Sequence, residues 1–253
     1  MMKKMKFLAL LLCFSFLLPT ISVRAEEKAV VGVSTVYEER RGVNVDIGIY
    51  IHSKEKLAGG SLDLVYDKDL LTVSKAVVGD QMTSYLSSTN DDQPGKVSFV
   101  WADESGEALE GTLLTVSVRL SKASETIPLK LENVQLFSED LSLVPVDLLD
   151  GSIKPFKGDK QKHPSKVKGD KQWTIRLNNE FRTATLNKHT VRMKDSRGYE
   201  VDIIIKKRDN KSFTVQPKST LSRGNYTLEI TEQLRSIKGN KLKTAIQREF
   251  TVE

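Results

Sequence analysis

Residues 43–52 alternate without interruption: Val43, Val45, Ile47, Ile49 and Ile51 fall on one side, and Asn44, Asp46, Gly48, Tyr50 and His52 on the other. A helix repeats every 3.6 residues and cannot gather every second side chain on one face, whereas an extended strand must. The segment is therefore a strand with one packed face and one wet face. Leu114, Val116, Val118 and Leu120 repeat the pattern against Thr115, Ser117 and Arg119. Further β-type runs lie near 29–36, 60–66, 70–77, 96–102, 127–136 and 142–148, parted by turns bearing Gly, Asp or Asn. About nine strands are thus expected within residues 26–154, with one short helical segment around Asp80–Ser87. That density implies an all-β fold, a jelly-roll β-sandwich.

The same grammar returns near the C-terminus. Val201, Ile203 and Ile205 alternate, followed by Phe213 and Val215, then Tyr226, Leu228 and Ile230, and finally Phe250 and Val252. Turn sequences fall at Asp195–Gly198, Asp209-Asn210, Arg223–Asn225 and Gly239-Asn240. Short strands at this spacing predict a smaller immunoglobulin-like sandwich over 172–253. Between the two regions, residues 155–171 hold six lysines, two prolines and two glycines, with few apolar side chains. Such a stretch buries too little surface to offset its ordering entropy, and reads as an extended, basic linker.

The N-terminus has the layout of an export signal. Lys3, Lys4 and Lys6 precede an apolar or small-residue run from Phe7 to Leu18; Pro19 breaks it, and Val23-Arg24-Ala25 offers small residues for cleavage. The apolar core is too short for a membrane span, so residues 1–25 are expected to be removed, leaving a secreted chain. Leu12 stands before Cys13 where a lipoprotein signal wants a small residue. Cys13 is the only cysteine, so the mature chain would have no disulfide and must be held by its packed cores.

Charge divides the chain. Residues 26–154 carry 12 Lys/Arg and 22 Asp/Glu, a net of −10, while 155–171 are at +4 and 172–253 at +8. An acidic front joined to a basic back bears on partners rather than on fold. Lys206, Lys207, Arg208 and Lys211 crowd one hairpin, and Arg235, Lys238, Lys241 and Lys243 crowd a late loop. Export and the lack of interleaved aromatic residues argue against nucleic acid. An anionic cell-wall polymer or anionic lipid headgroup is the expected polyanion; a merely soluble basic surface is the alternative.

No catalytic constellation emerges. His52, His163 and His189 sit in a strand, the linker and a loop, without a partner at ligand spacing, and there is neither a serine elbow nor a phosphate-binding glycine loop. Asp103, Glu104, Glu107 and Glu110 form the one acidic group a glycosidase could use, but four acids in one loop read first as a solvated turn. No cofactor is expected. Calcium is the one candidate ion, at Asp63, Asp67 and Asp69, with ordinary turn acids as the competing reading.

Four segments of the first region, LVYDKDLLTV (64–73), GKVSFVWADESGEAL (95–109), GTLLTVSVRLS (111–121) and DGSI (150–153), occur in an order that resembles the cohesins, receptor modules of cellulosome scaffolds. The resemblance implies a non-catalytic module that binds a dockerin, a small calcium-loaded helical domain, on one open sheet face. Carried over by position, that face comprises Gly59, Ser61, Val100, Ala102, the turn Asp103-Glu104-Ser105-Gly106, and Leu141 to Leu143. The best-known cohesins place an Asn and an Asp where this chain has Gly59 and Ser61, which removes a polar anchor. The second region is similar to immunoglobulin-like modules of bacterial surface proteins, through WTIRLNNEF (173–181), TLNKHTVRMKDSRGYEVDI (185–203) and FTVQPKSTLSRGNYTLEIT (213–231). The alternative to a protein partner is a polysaccharide: a carbohydrate-binding module needs exposed rings, and Tyr50 and Tyr85 are the candidates. Trp101, alternating with Val100 and Ala102, is expected in the core.

Overall fold

A computed structural model describes residues 28–121 and 126–253. The export signal and its cleavage site lie outside the described residues. The first domain holds nine strands: β1 (Ala29–Val33), β2 (Thr35–Tyr37), β3 (Asn44–Tyr66), β4 (Leu71–Val78), β5 (Leu86–Asn90), β6 (Lys96–Leu120), β7 (Ile127–Ser138), β8 (Val146–Leu149) and β9 (Gly151–Lys154). The runs expected at 43–52 and 60–66 are one strand, β3, and 96–102 and 114–120 are likewise both β6. Register shifts in the β3–β6 pairing between Ile49 and Gly59 bend these long strands, so each serves two layers. One layer runs β4-β6-β3-β1-β8 through residues 44–52 of β3; the other runs β5-β6-β3-β7-β9-β2 through residues 59–66.

Between the layers lies a single core that includes Ile47, Ile49, Leu62, Leu64, Phe99 and Trp101. The helical segment expected around Asp80–Ser87 is one 3-10 turn, Asp80–Met82, whose Met82 plugs the core, and β5 begins at Leu86.

The second domain is a smaller sandwich. β10 (Asp159–Lys162), β12 (Val191–Asp195), β15 (Gly224–Ile230) and β16 (Ile246–Val252) form a sheet in the order β10-β16-β15-β12. β11 (Trp173–Arg176), β13 (Ile203–Lys207) and β14 (Ser212–Pro217) form its partner in the order β11-β14-β13. Trp173, Phe181, Phe213, Val215 and Phe250 are buried between them. Among the described residues, no helix is long and apolar enough to cross a membrane.

The expected linker is a correction. Residues 155–171 are not a free tether: β10 pairs in parallel with β16, and Val167 is buried in the second core and bridges to Val252. All four β10 side chains are exposed, so the strand is held by backbone hydrogen bonds, which composition does not record. At the start of the same stretch, Phe156 meets Tyr37 of β2 edge-on at 5.0 Å. The second domain therefore begins before residue 172.

The two domains are docked. Tyr50, assigned by alternation to a wet face, is 1% exposed. His189 of the second domain stacks on its ring, with Nε2 2.9 Å from the Thr112 hydroxyl. Glycine makes the approach possible: a Cβ on Gly48 would stand 2.2 Å from His189 Cε1. Gln233 reaches into the first domain, where its side-chain oxygen accepts from Thr35 N–H at 2.7 Å and its amide donates to the Val33 carbonyl. Arg182 pairs with Asp147 at 2.7 Å, and Lys154 with Glu232 at 2.8 Å.

Candidate functional site

Docking covers the part of the outer face of the β4-β6-β3-β1-β8 layer around Gly48, Tyr50 and Thr112, and leaves the outer face of the opposite layer open. Cross-strand register builds that open face in rows. Leu86, Ala102, Gly59, Phe137 and Leu143 are successive partners across β5, β6, β3, β7 and the segment after it. Ser88, Val100, Ser61 and Gln135 form the next row. Opposed residues share a face, so the sequence-derived Gly59, Ser61, Val100, Ala102 and Leu143 do come together. Val97, Phe99 and Trp101 point the other way and are buried.

Four large apolar side chains lie open here: Leu86 at 84% exposure, Leu141 at 75%, Leu143 at 65% and Val100 at 48%. Leu86 and the half-buried Phe137 were missed in the sequence. Leu86 fell within a segment read as helical. Alternation from Ile127, Leu129 and Leu131 would put Phe137 inward; the irregularity around Asn133, at φ +50, moves the buried set to even positions such as Leu136 and turns Phe137 outward.

Leu141 has φ +64, the left-handed region that L residues with bulky side chains avoid. The turn enforces it: Ser138 N–H donates to Ser142 O at 3.0 Å, Leu141 N–H to Ser138 O at 3.0 Å, and Ser142 N–H to the Asp140 carboxylate at 3.1 Å. The Ser138 hydroxyl donates to the same carboxylate and, with Ser142 N–H, holds Asp140 below the ordinary aspartate range. A strained backbone thus carries an exposed leucine.

The segment expected as an acidic turn lies inside β6, where the pairing with β3 is irregular between Ala102 and Glu107, and its acids divide in two. Asp103 accepts from the Ser105 hydroxyl at 3.0 Å and from the N–H groups of Ser105 and Gly106 at 3.2 and 3.0 Å. These bonds hold its pKa down and commit it to shaping this irregularity in β6, while Gly106 adopts φ +63. Glu104 is exposed. Gly59 is also constrained, since a Cβ there would stand 2.8 Å from the Trp101 carbonyl oxygen. The strand packing itself thus opposes a polar side chain at this position.

The candidate calcium ligands do not assemble. Asp63 accepts from Ser98 Oγ at 2.6 Å and Asn133 Nδ2 at 2.8 Å, while Asp67 caps its own turn through Asp69 N–H at 2.8 Å. Among the described residues, no group of three or more His, Cys, Asp or Glu could hold a metal ion. The candidate sugar platforms are corrected as well. Tyr50 lies beneath His189, and Tyr85 is buried with its hydroxyl donating to the Leu57 carbonyl at 2.8 Å.

The two basic clusters meet at one end of the second domain. Phe181 N–H donates to Asn210 O in the β13–β14 hairpin at 3.0 Å, and Glu180 O accepts from Ile237 N–H at 3.1 Å. Segment 180–182 therefore carries Lys206, Lys207, Arg208 and Lys211 on one side, and Lys238 and Lys241 on the other. All six are exposed. Lys207 extends over the Phe181 ring, 5.7 Å from its centre. Lys241 also borders a groove shared with Asp150 and Glu232.

Residues 160–252 match the family model described as a bacterial Ig-like domain. The chain is similar to a non-cellulosomal cohesin from the hyperthermophilic archaeon Archaeoglobus fulgidus, at 18% identity over 51% of this chain and 92% of that one, with a TM-score of 0.47. It is similar to the Coh-OlpC–Doc435 cohesin–dockerin complex from Clostridium thermocellum, at 19% identity over 50% of this chain and 92% of that one, TM-score 0.45. It is also similar to CaCohA2 from Clostridium acetobutylicum, at 19% identity over 51% of this chain and 92% of that one, TM-score 0.44. No curated protein matches the sequence.

Proposed function

We propose that this chain, a cohesin-like sandwich followed by a bacterial Ig-like domain, is an exported, non-catalytic adaptor. Its open β5-β6-β3-β7 face binds a protein partner, either a dockerin-like helical module or another surface protein. The basic end of its second domain associates with an anionic wall polymer. The observation that carries the reading is the exposed apolar group Leu86, Val100 and Leu143 on a single face, with exposed Leu141 in the adjoining turn. Exposed apolar side chains gathered on one face, amid small and polar neighbours, mark an interaction surface. The rings counted toward sugar stacking are buried, which weighs against a polysaccharide on this face.

The test uses residues 26–253 immobilised and exposed to the source cell's own secreted proteins, with and without calcium. The comparison is the Val100→Glu, Leu143→Glu double variant. A protein retained by the native face and lost by the variant supports the adaptor; equal retention by both sinks it.

A further inference from the structure

Between the domains lies a second concavity, distinct from the open face. It is a cleft of about 1100 Å³, bounded by the outer face of the β10-β16-β15-β12 sheet and by Tyr37, Glu38 and Asp46 of the first domain. Its floor is set by register: Arg192, Glu229 and Gln247 form one row, Lys194, Thr227 and Glu249 the next, and Asn225 with Thr251 a third. Every one of these side chains is polar. Neighbouring rows are spaced by roughly 7 Å along the strands, and partners within a row by about 5 Å.

An ordinary solvent face would also be polar, but this one is roofed. Arg192 is 5% exposed and Glu229 1%. Their ion pair spans 2.7 Å, and Arg192 Nη2 also donates to the Thr35 carbonyl of the first domain at 2.6 Å. Arg192 Nε is buried with no hydrogen-bond partner. This sealed pair ties the two domains together beside the cleft, and the accessible donors and acceptors of the floor are Lys194, Asn225, Thr227, Gln247, Glu249 and Thr251. At the rim stands Tyr199, 65% exposed, with the Arg197 guanidinium 4.9 Å from its ring centre and tied in turn to Asp195.

Three features define the occupant. The floor's charges balance, Arg192 and Lys194 against Glu229 and Glu249, which disfavours a polyanion and contrasts with the basic end of the domain. The volume is at or above the upper end of the ~300–1,000 Å³ usual for ligand sites, which suits a chain of several units. Along β12 a peptide strand has no free edge to join, because that strand is already met by Val201 N–H donating to Met193 O at 2.8 Å and by the Lys194–Glu200 bridge. We propose that the cleft binds a neutral oligosaccharide segment, with hydroxyls on the mixed donors and acceptors of the floor and a sugar ring against Tyr199.

The test is native gel electrophoresis of residues 26–253 through gels cast with hydroxyethylcellulose, glucomannan or laminarin, beside one cast with polygalacturonate. Retardation in at least one neutral gel is expected. Tyr199→Ala should weaken it roughly tenfold, in line with the loss of one stacking contact. Thr227→Trp, which fills the floor, should abolish it, and Lys130→Ala, at an exposed β7 position outside the cleft, should leave it unchanged. Tyr199 is exposed, so its variant reports binding even if Thr227→Trp folds poorly. Retardation in no neutral gel, only in polygalacturonate, or unchanged in Tyr199→Ala overturns the proposal.

Discussion

The imidazole of His189 lies flat on the phenol of Tyr50, ring centres 5.0 Å apart and planes inclined by 9°. One ring belongs to each domain, and the contact rests on the bare backbone of Gly48. Replacing glycine by alanine in a strand ordinarily gains about 0.5–1 kcal/mol. At Gly48 the sign reverses, because the new Cβ meets the imidazole, and forced overpacking costs ~1–3 kcal/mol. Gly48→Ala is expected to split the calorimetric melt into two transitions and to raise the radius of gyration in X-ray scattering. One unchanged transition would contradict the docked arrangement.

Burial, with the nearby charges of Lys188 and Arg192, lowers the His189 pKa from 6.5 to about 3. The folded protein therefore holds this ring neutral, while the unfolded chain takes up a proton below pH 6.5. Stability should be full above that pH and fall by about 1.4 kcal/mol per pH unit as pH drops toward 3, where the loss levels off. His189→Phe keeps a stacked ring without the proton. Urea denaturation of the two proteins between pH 7 and pH 4 should show a steeper decline for the native chain.

Gln233 is buried and bonds three first-domain backbone groups, Thr35 N–H, Val33 C=O and Asp150 C=O. Gln233→Leu keeps the volume and removes all three bonds. An unmet buried backbone group costs ~1–3 kcal/mol, so a comparable drop in urea-measured stability is expected. A change under 0.5 kcal/mol, on the order expected of a surface substitution, would mean water enters this seam.

Leu141 tests whether strain serves binding. Leu141→Gly relieves an unfavourable φ worth roughly 1–2 kcal/mol but adds unfolded-chain entropy of about 0.5–1 kcal/mol. Thermal stability should be unchanged or slightly higher, while capture of the protein partner falls. Loss of stability instead would show that the leucine side chain is structural.

For the basic end, Lys206→Glu with Lys238→Glu should lower retention on purified cell walls. The native protein's retention should fall steeply as salt is raised, because exposed charges are screened within about 10 Å at 0.1 M. Retention indifferent to both would remove the polyanion from the account.

The sandwich was legible because an inward face depends on nearby alternation. Ile47, Ile49 and Ile51 pack where period two puts them. Tyr50 obeys the same period yet was misread, since its cover comes from His189, far along the chain, and no local pattern records that. Residues 155–171 misled for a different reason: β10 is held by main-chain bonds, to which its lysines contribute nothing. On the open face, alternation agreed with the resemblance at Val100 and Ala102, whereas Leu143 rested on the resemblance alone and is held in place by its bridge to Phe137.

The parallel pairing of β10 with β16 also has a mechanical meaning. β10 is the point at which the chain enters the second domain, and β16 runs beside it in the same direction toward the C-terminal end. A pull that separates the first domain from that end would drag the two strands past each other lengthwise. Their cross-links are then sheared together rather than unzipped one at a time, so the basic stretch that looks like a tether would resist tension as a clamp.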